Sequence, residues 1–228
     1  MVKQFHNYLV GLLILIAAGC DSDDDRRAEP DFFPLQKGVF QTYDVEEIVY
    51  ELGDPDTVHF ELLTEVVDSF ASDGGYRYII HRSKRELSET EWTYIDTWSA
   101  QKTTHELIVW EENVPFVDLQ FPAKEGSEWN GNVYNNVTNP TTGKREDVYA
   151  IQETGEDQSG RFTTVLKEDN QEFIVFYDKR VDSYIDNVGL SYREITQLEY
   201  CTNNDCLGEQ IVNSGKIYKQ RIKTYGRH

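Results

Sequence analysis

Long stretches of this chain alternate, residue by residue, between side chains suited to a core and side chains suited to water. A period of two belongs to a strand, because successive side chains of extended backbone point to opposite faces. Val39, Gln41, Tyr43 and Val45 alternate with Phe40, Thr42 and Asp44. Tyr76, Tyr78 and Ile80 alternate with Arg77, Ile79 and His81, and Leu107 and Val109 with Ile108 and Trp110. Near the end, Ile217 and Lys219 oppose Tyr218, Gln220 and Ile222, and 171–177 is a short apolar run flanked by charge. Turn chemistry separates these runs: Asp73-Gly74-Gly75 suits a hairpin that needs positive φ, while Asn139-Pro140-Thr141-Thr142-Gly143 and Glu168-Asp169-Asn170 read as further reversals. Such frequent turns, with no helical stretch between them, favour an antiparallel meander over alternating βαβ units. The expected fold is all-β, an antiparallel sheet curled into a half-barrel or barrel, with a β-sandwich as the alternative. Helices have room only at 181–187 and 46–52, and neither segment carries a cap or a clear apolar face.

Composition says what must fill such a sheet. Hydrophobic residues make up 39% of the chain, so the core has to be built from large side chains, and 14 Tyr, 11 Phe and 4 Trp supply them. The 41 acidic and 22 basic residues give a formal net charge of −19. A surface of that sign repels nucleic acid, which requires a basic footprint, and serves solubility.

The first thirty residues read as an address. Met1-Val2-Lys3 is a short basic start, and an apolar run from Tyr8 to Ala18 follows that is too short for a comfortable membrane span and fits a secretory signal. Ala17, Ala18 and Gly19 then precede Cys20. This resembles the bacterial lipobox, with Ala17 where Leu is commonest. The resemblance implies cleavage after residue 19 and acylation of Cys20, which anchors a soluble body because each buried methylene contributes about 0.8 kcal/mol. Residues 20–30 are an acidic tether, and 31–228 read as a single β-rich domain. Within the tether, Ser22-Asp23-Asp24-Asp25 is similar to the acidic export signal of Bacteroidetes lipoproteins. That resemblance implies a place in the cell envelope, on the outer membrane and at the cell surface.

Three further stretches carry the same resemblance. Phe33-Pro34-Leu35-Gln36-Lys37-Gly38-Val39-Phe40-Gln41-Thr42-Tyr43 is similar to an opening motif of many Bacteroidetes lipoproteins, with Gln41 where those often have Trp. Phe121-Pro122-Ala123-Lys124-Glu125-Gly126-Ser127-Glu128-Trp129-Asn130-Gly131-Asn132 resembles an internal segment of the same family, and Asn187-Val188-Gly189-Leu190 a late strand. The family brings no activity with it. Physically, the first two stretches read as matching corners: Pro enters where no N–H is needed, Gly permits a tight reversal, and Tyr43 or Trp129 then drops into the core.

Candidate chemistry is sparse. With Cys20 acylated, Cys201 and Cys206 remain as a C-x₄-C pair across a polar turn, read as a disulfide closing a small loop. No histidine pair has zinc-hydrolase spacing, and there is no G-x-S-x-G, P-loop or dinucleotide fingerprint, so no metal, cofactor or catalytic residue is assigned. In a regular strand Trp92, Tyr94, Asp96 and Trp98 would share one face, a row able to meet a ligand or to serve as core. The expected function is a non-enzymatic binding or interaction lipoprotein, tied to the bilayer through its acyl anchor and holding a glycan, lipid or protein ligand. A cell-envelope hydrolase without a recognisable motif is the alternative. An apolar cavity of ligand size inside the sheet would favour small-ligand or lipid binding.

Overall fold

The computed structural model describes residues 28–169 and 174–228; the signal segment and Cys20 lie outside the described residues. The first half of the chain forms β1 (Val39–Glu51), β2 (Asp54–Ser72), β3 (Gly75–Glu86), β4 (Thr93–Lys102), β5 (Glu106–Glu111) and β6 (Val114–Gln120). The second forms β7 (Glu128–Asn130), β8 (Val148–Asp157), β9 (Gly160–Asp169), β10 (Phe176–Ile185), β11 (Gly189–Tyr200) and β12 (Val212–Arg227). All twelve belong to one sheet in the order β6-β5-β4-β3-β2-β1-β12-β11-β10-β9-β8-β7, antiparallel throughout. The sheet curls until its two edges almost meet. At that seam the Val117 N–H donates to the Gly131 carbonyl at 2.9 Å, and the Trp129 indole N–H donates to the Val117 carbonyl at 2.8 Å. The fold is therefore the expected all-β one, a nearly closed barrel.

The alternation read from the sequence is what closes it. Gln41, Tyr43 and Val45 of β1 are paired with Thr64, Leu62 and Phe60 of β2 on the inner face, and Tyr43 and Val45 are buried. Leu107 and Val109 of β5 and Ile80 of β3 are buried in a second, larger apolar cluster. The outer wall carries charge instead, with Lys219 against Glu46 at 3.3 Å and Lys223 against Asp44 at 3.1 Å.

Both expected corners form. Gly38 (φ +85°) and Gly126 (φ +79°) adopt the left-handed conformation, and Tyr43 and Trp129 beyond them are buried. The segment ahead of β1 crosses one end of the barrel: Phe32 and Leu35 enter the core, and the Asp31 N–H donates to Asp186 at 2.7 Å. Asp73-Gly74 makes the tight β2–β3 hairpin, and Cys201–Cys206 closes its loop between β11 and β12.

Two open points are decided and one expectation is corrected. Residues 181–187 and 46–52 are not helical: Val181–Ile185 lie in β10, and Glu46–Glu51 in β1. Both carry charged residues on one or both faces, which hides the strand period. Glu168 and Asp169 belong to β9 rather than to a turn, and Asn170 lies outside the described residues.

The seam yields a prediction. Trp129→Phe keeps most of the apolar contact but removes the only indole donor to the buried Val117 carbonyl, and should cost about 1–3 kcal/mol. Urea denaturation followed by circular dichroism measures it; an unchanged midpoint would show that the seam does not depend on this bond.

Candidate functional site

Arginine rarely faces the inside of a small barrel, because removing its charge from water is costly unless carboxylates meet it in good geometry. Here two do so. β10 and β11 run side by side with Asp182 opposite Arg193, and Arg180 lies two residues from Asp182 and hence on the same face. The Arg193 guanidinium donates to both Asp182 oxygens, from Nε to Oδ1 at 2.8 Å and from Nη2 to Oδ2 at 2.9 Å. Arg180 Nε donates to Asp182 Oδ2 at 2.8 Å. From the other side of the barrel Asp118 of β6 joins them, its Oδ2 accepting from Arg193 Nη2 at 3.1 Å and from Arg180 Nη2 at 3.2 Å. Asp118 is the extra residue of a β-bulge, since Leu107 pairs with Leu119 and Ile108 with Val117. The bulge re-aims its carboxylate inward. Burial pushes the Asp182 carboxyl up, but Arg180 and Arg193 outweigh it and hold it below the usual carboxylate range.

This wall divides two chambers. The first is a cavity of about 260 Å³ with aliphatic walls that include Leu62, Val66, Ile80, Val109 and Leu190, and with Phe33, Tyr43, Trp98 and Tyr218 as its aromatic members. The second, about 190 Å³, is polar. In it the buried Lys167 donates to Asp178 at 2.6 Å and faces Asp147 at 3.2 Å, while Asn139 bonds to both carboxylates. Glu111, Arg180 and Ile195 line both chambers.

Glu111 differs from the other inward carboxylates. It ends β5, just before a two-residue turn in which Glu112 and Asn113 have φ of +48° and +71°. Its closest cation is Arg193 Nη1, at 3.8 Å beyond hydrogen-bond reach. Burial pushes the Glu111 carboxyl up, with Arg193 opposing and Asp118 adding to the rise.

The aromatic row expected on β4 is split. Arg82 pairs with Asp96 but Ser83 with Tyr94, so Ile95 is a bulge and the residues on either side of it face opposite ways. Trp98 lines the first chamber with the Arg82 guanidinium 3.8 Å above its ring, and Arg82 also binds Asp96 at 2.9 Å. Tyr94 stands outside against His81 and is exposed, and Trp92 lies under Arg85, which is bonded to Glu61. Of the three aromatics singled out from the sequence, only Trp98 reaches the cavity. Cys201 and Cys206 are far from it in the sheet, at the opposite end of β11 from Gly189.

Sequence reading missed the charged wall. The available signal was the spacing Asp178-x-Arg180-x-Asp182-x-Tyr184, a polar stripe with the period of a strand.

Two predictions test the wall. Arg193→Met leaves Asp118 and Asp182 with one guanidinium in place of two, and should cost about 3–5 kcal/mol in denaturant unfolding. A loss below about 1 kcal/mol would mean that the pair is dispensable. Glu111 acts in the opposite sense. Its folded-state carboxyl holds its proton more tightly than the unfolded chain does, so its contribution is present at low pH and is lost as pH rises through the raised value. Glu111→Gln should therefore raise the thermal midpoint relative to the parent at pH 7, and the gap should shrink towards pH 4. A gap that widens on acidification would contradict this.

No family model and no curated protein sequence matches the chain. Among solved structures, it is similar to an inferred exported protein with a YmcC-like fold from Bacteroides fragilis, at 13% identity and a TM-score of 0.36, covering 86% of this chain and 100% of that one. An inferred lipoprotein from Parabacteroides distasonis gives 12% identity and a TM-score of 0.43, over 86% and 100% of the two chains. An inferred outer membrane lipoprotein-sorting domain from Vibrio parahaemolyticus gives 9% and 0.21, over 90% and 89%. At these scores no role passes from those proteins to this one.

Proposed function

We infer that the chain is an exported lipoprotein whose barrel is a non-enzymatic module holding a small, largely apolar ligand. The observation that carries the binding half is the cavity of about 260 Å³, walled by aliphatic and aromatic side chains and ending on a few polar groups. At about 30 Å³ per water this is the space of roughly nine waters, enough for a short hydrocarbon chain or a single ring system. The charged wall keeps that space from being filled, since Arg180 and Arg193 must stay paired with Asp118 and Asp182. The anchoring half rests on the run from Tyr8 to Ala18 and on Cys20 after three small residues. An acyl anchor holds the module in the cell envelope, the resemblance of Ser22-Asp23-Asp24-Asp25 to an acidic export signal supports the outer membrane and the cell exterior, and the acidic surface speaks against nucleic acid.

Each half has its own test. N-phenyl-1-naphthylamine, an uncharged dye that brightens in apolar surroundings, should bind saturably and one to one. Ile195→Phe, which puts a ring into the space shared by the two chambers, should abolish the signal. Flat emission from the folded parent protein would remove the binding reading. For the anchor, Cys20→Ser should abolish palmitate labelling and release the protein from the membrane fraction; retention of both would remove the address.

A further inference from the structure

Charge balance inside the barrel selects among the ligands that the cavity admits. Three guanidiniums border the first chamber, and each is met by a carboxylate within hydrogen-bond distance: Arg82 by Asp96, and Arg180 and Arg193 by Asp118 and Asp182. Glu65 is a further carboxylate of that chamber's lining, and so is Glu111, which reaches both chambers. Glu111 makes no hydrogen bond among the described residues, and its side chain retains 29% exposure, turned to the chambers that it lines. The second chamber repeats the imbalance, with Lys167 shared between Asp147 and Asp178. At the edge of the first, Lys216 is taken up by Glu47 at 2.6 Å. The interior therefore carries carboxylate in excess of cation on both sides of the dividing wall.

Three head groups are conceivable on an apolar ligand of this size. A carboxylate would add a further negative charge next to Glu111. Arg193 Nη1, a donor it could use there, already faces Glu111 across 3.8 Å. A hydroxyl would find partners in Gln41 or Gln220 but would bring no positive charge to Glu111. An ammonium would add the missing cation, donating to Glu111, which makes no hydrogen bond among the described residues, while its chain covers the aliphatic wall. The field of the whole molecule acts in the same direction, since a net charge of −19 draws cations inward and repels anions.

We propose that the cavity is a site for a cationic amphiphile, an alkyl ammonium whose nitrogen binds Glu111 and whose hydrocarbon chain lies along Leu62, Val66, Ile80 and Val109. This rests on the apolar-ligand reading above and adds the identity of the head group. An ionised donor on an ionised acceptor, away from bulk water, is worth more than a neutral hydrogen bond at the same place.

The test is displacement of N-phenyl-1-naphthylamine at pH 7 by three eight-carbon competitors, octylamine, octan-1-ol and octanoate. Octylamine should displace the dye at about one tenth of the concentration that octanol requires, and octanoate should be the weakest. In Glu111→Gln the ratio of amine to alcohol should collapse to about one. If alcohol and amine compete within about twofold in the parent protein, or if octanoate is the tightest, the ammonium assignment is overturned while the cavity reading stands. If the dye itself fails to bind, both fall together. The ranking in the parent protein decides the matter even if the variant does not fold.

Discussion

The barrel is braced from within by two arginines and two aspartates. Asp118 projects from β6 beside the seam, and Arg180, Asp182 and Arg193 project from β10 and β11 on the opposite side of the chamber. Four ionised groups removed from water cannot relax independently, because each leaves its partner uncompensated. The wall they make fixes the distance between the two sides of the sheet. An apolar interior of the same size would contract until it was filled; a charged lattice with fixed geometry holds it open. Both the cavity and its residual negative charge follow from that brace.

The brace in turn depends on irregularities of the strands. Regular pairing would send Asp118 out of line with its neighbours and would put Tyr94 and Asp96 on one face. One extra residue in β6 and one in β4 turn Asp118 and Asp96 towards the guanidiniums. The bulges thus bring two carboxylates to the guanidiniums that β3, β10 and β11 already turn inward.

These irregularities explain which parts of the structure could be read from the sequence. Where the inner face is apolar, as in Tyr43 and Val45 or Leu107 and Val109, the period of two is plain and the strands follow from it. The corners at Gly38 and Gly126, the Asp73-Gly74 hairpin and the Cys201–Cys206 loop were legible because their chemistry is local. β10 was not, since Asp178, Arg180 and Asp182 face inward and invert the usual rule. Its pattern then looks like neither a half-buried strand nor a solvated loop. The row from Trp92 to Trp98 misled for a different reason: a single bulge at Ile95 exchanges the faces of everything beyond it, and residue type gives no warning of where a bulge will fall.

The strand order places the first and the last described strands next to each other in the middle of the sheet, with Val39 opposite Arg227 and Tyr50 opposite Gly215. Each half can zip up locally, hairpin by hairpin, into an open ribbon with an unsatisfied edge at β1 or β11. Neither ribbon can curl shut until β12 arrives to join them, and β12 is made last. The interior is therefore closed by the sixteen-residue β12, whose pairing with β1 joins residues far apart in sequence, the kind of contact that slows folding.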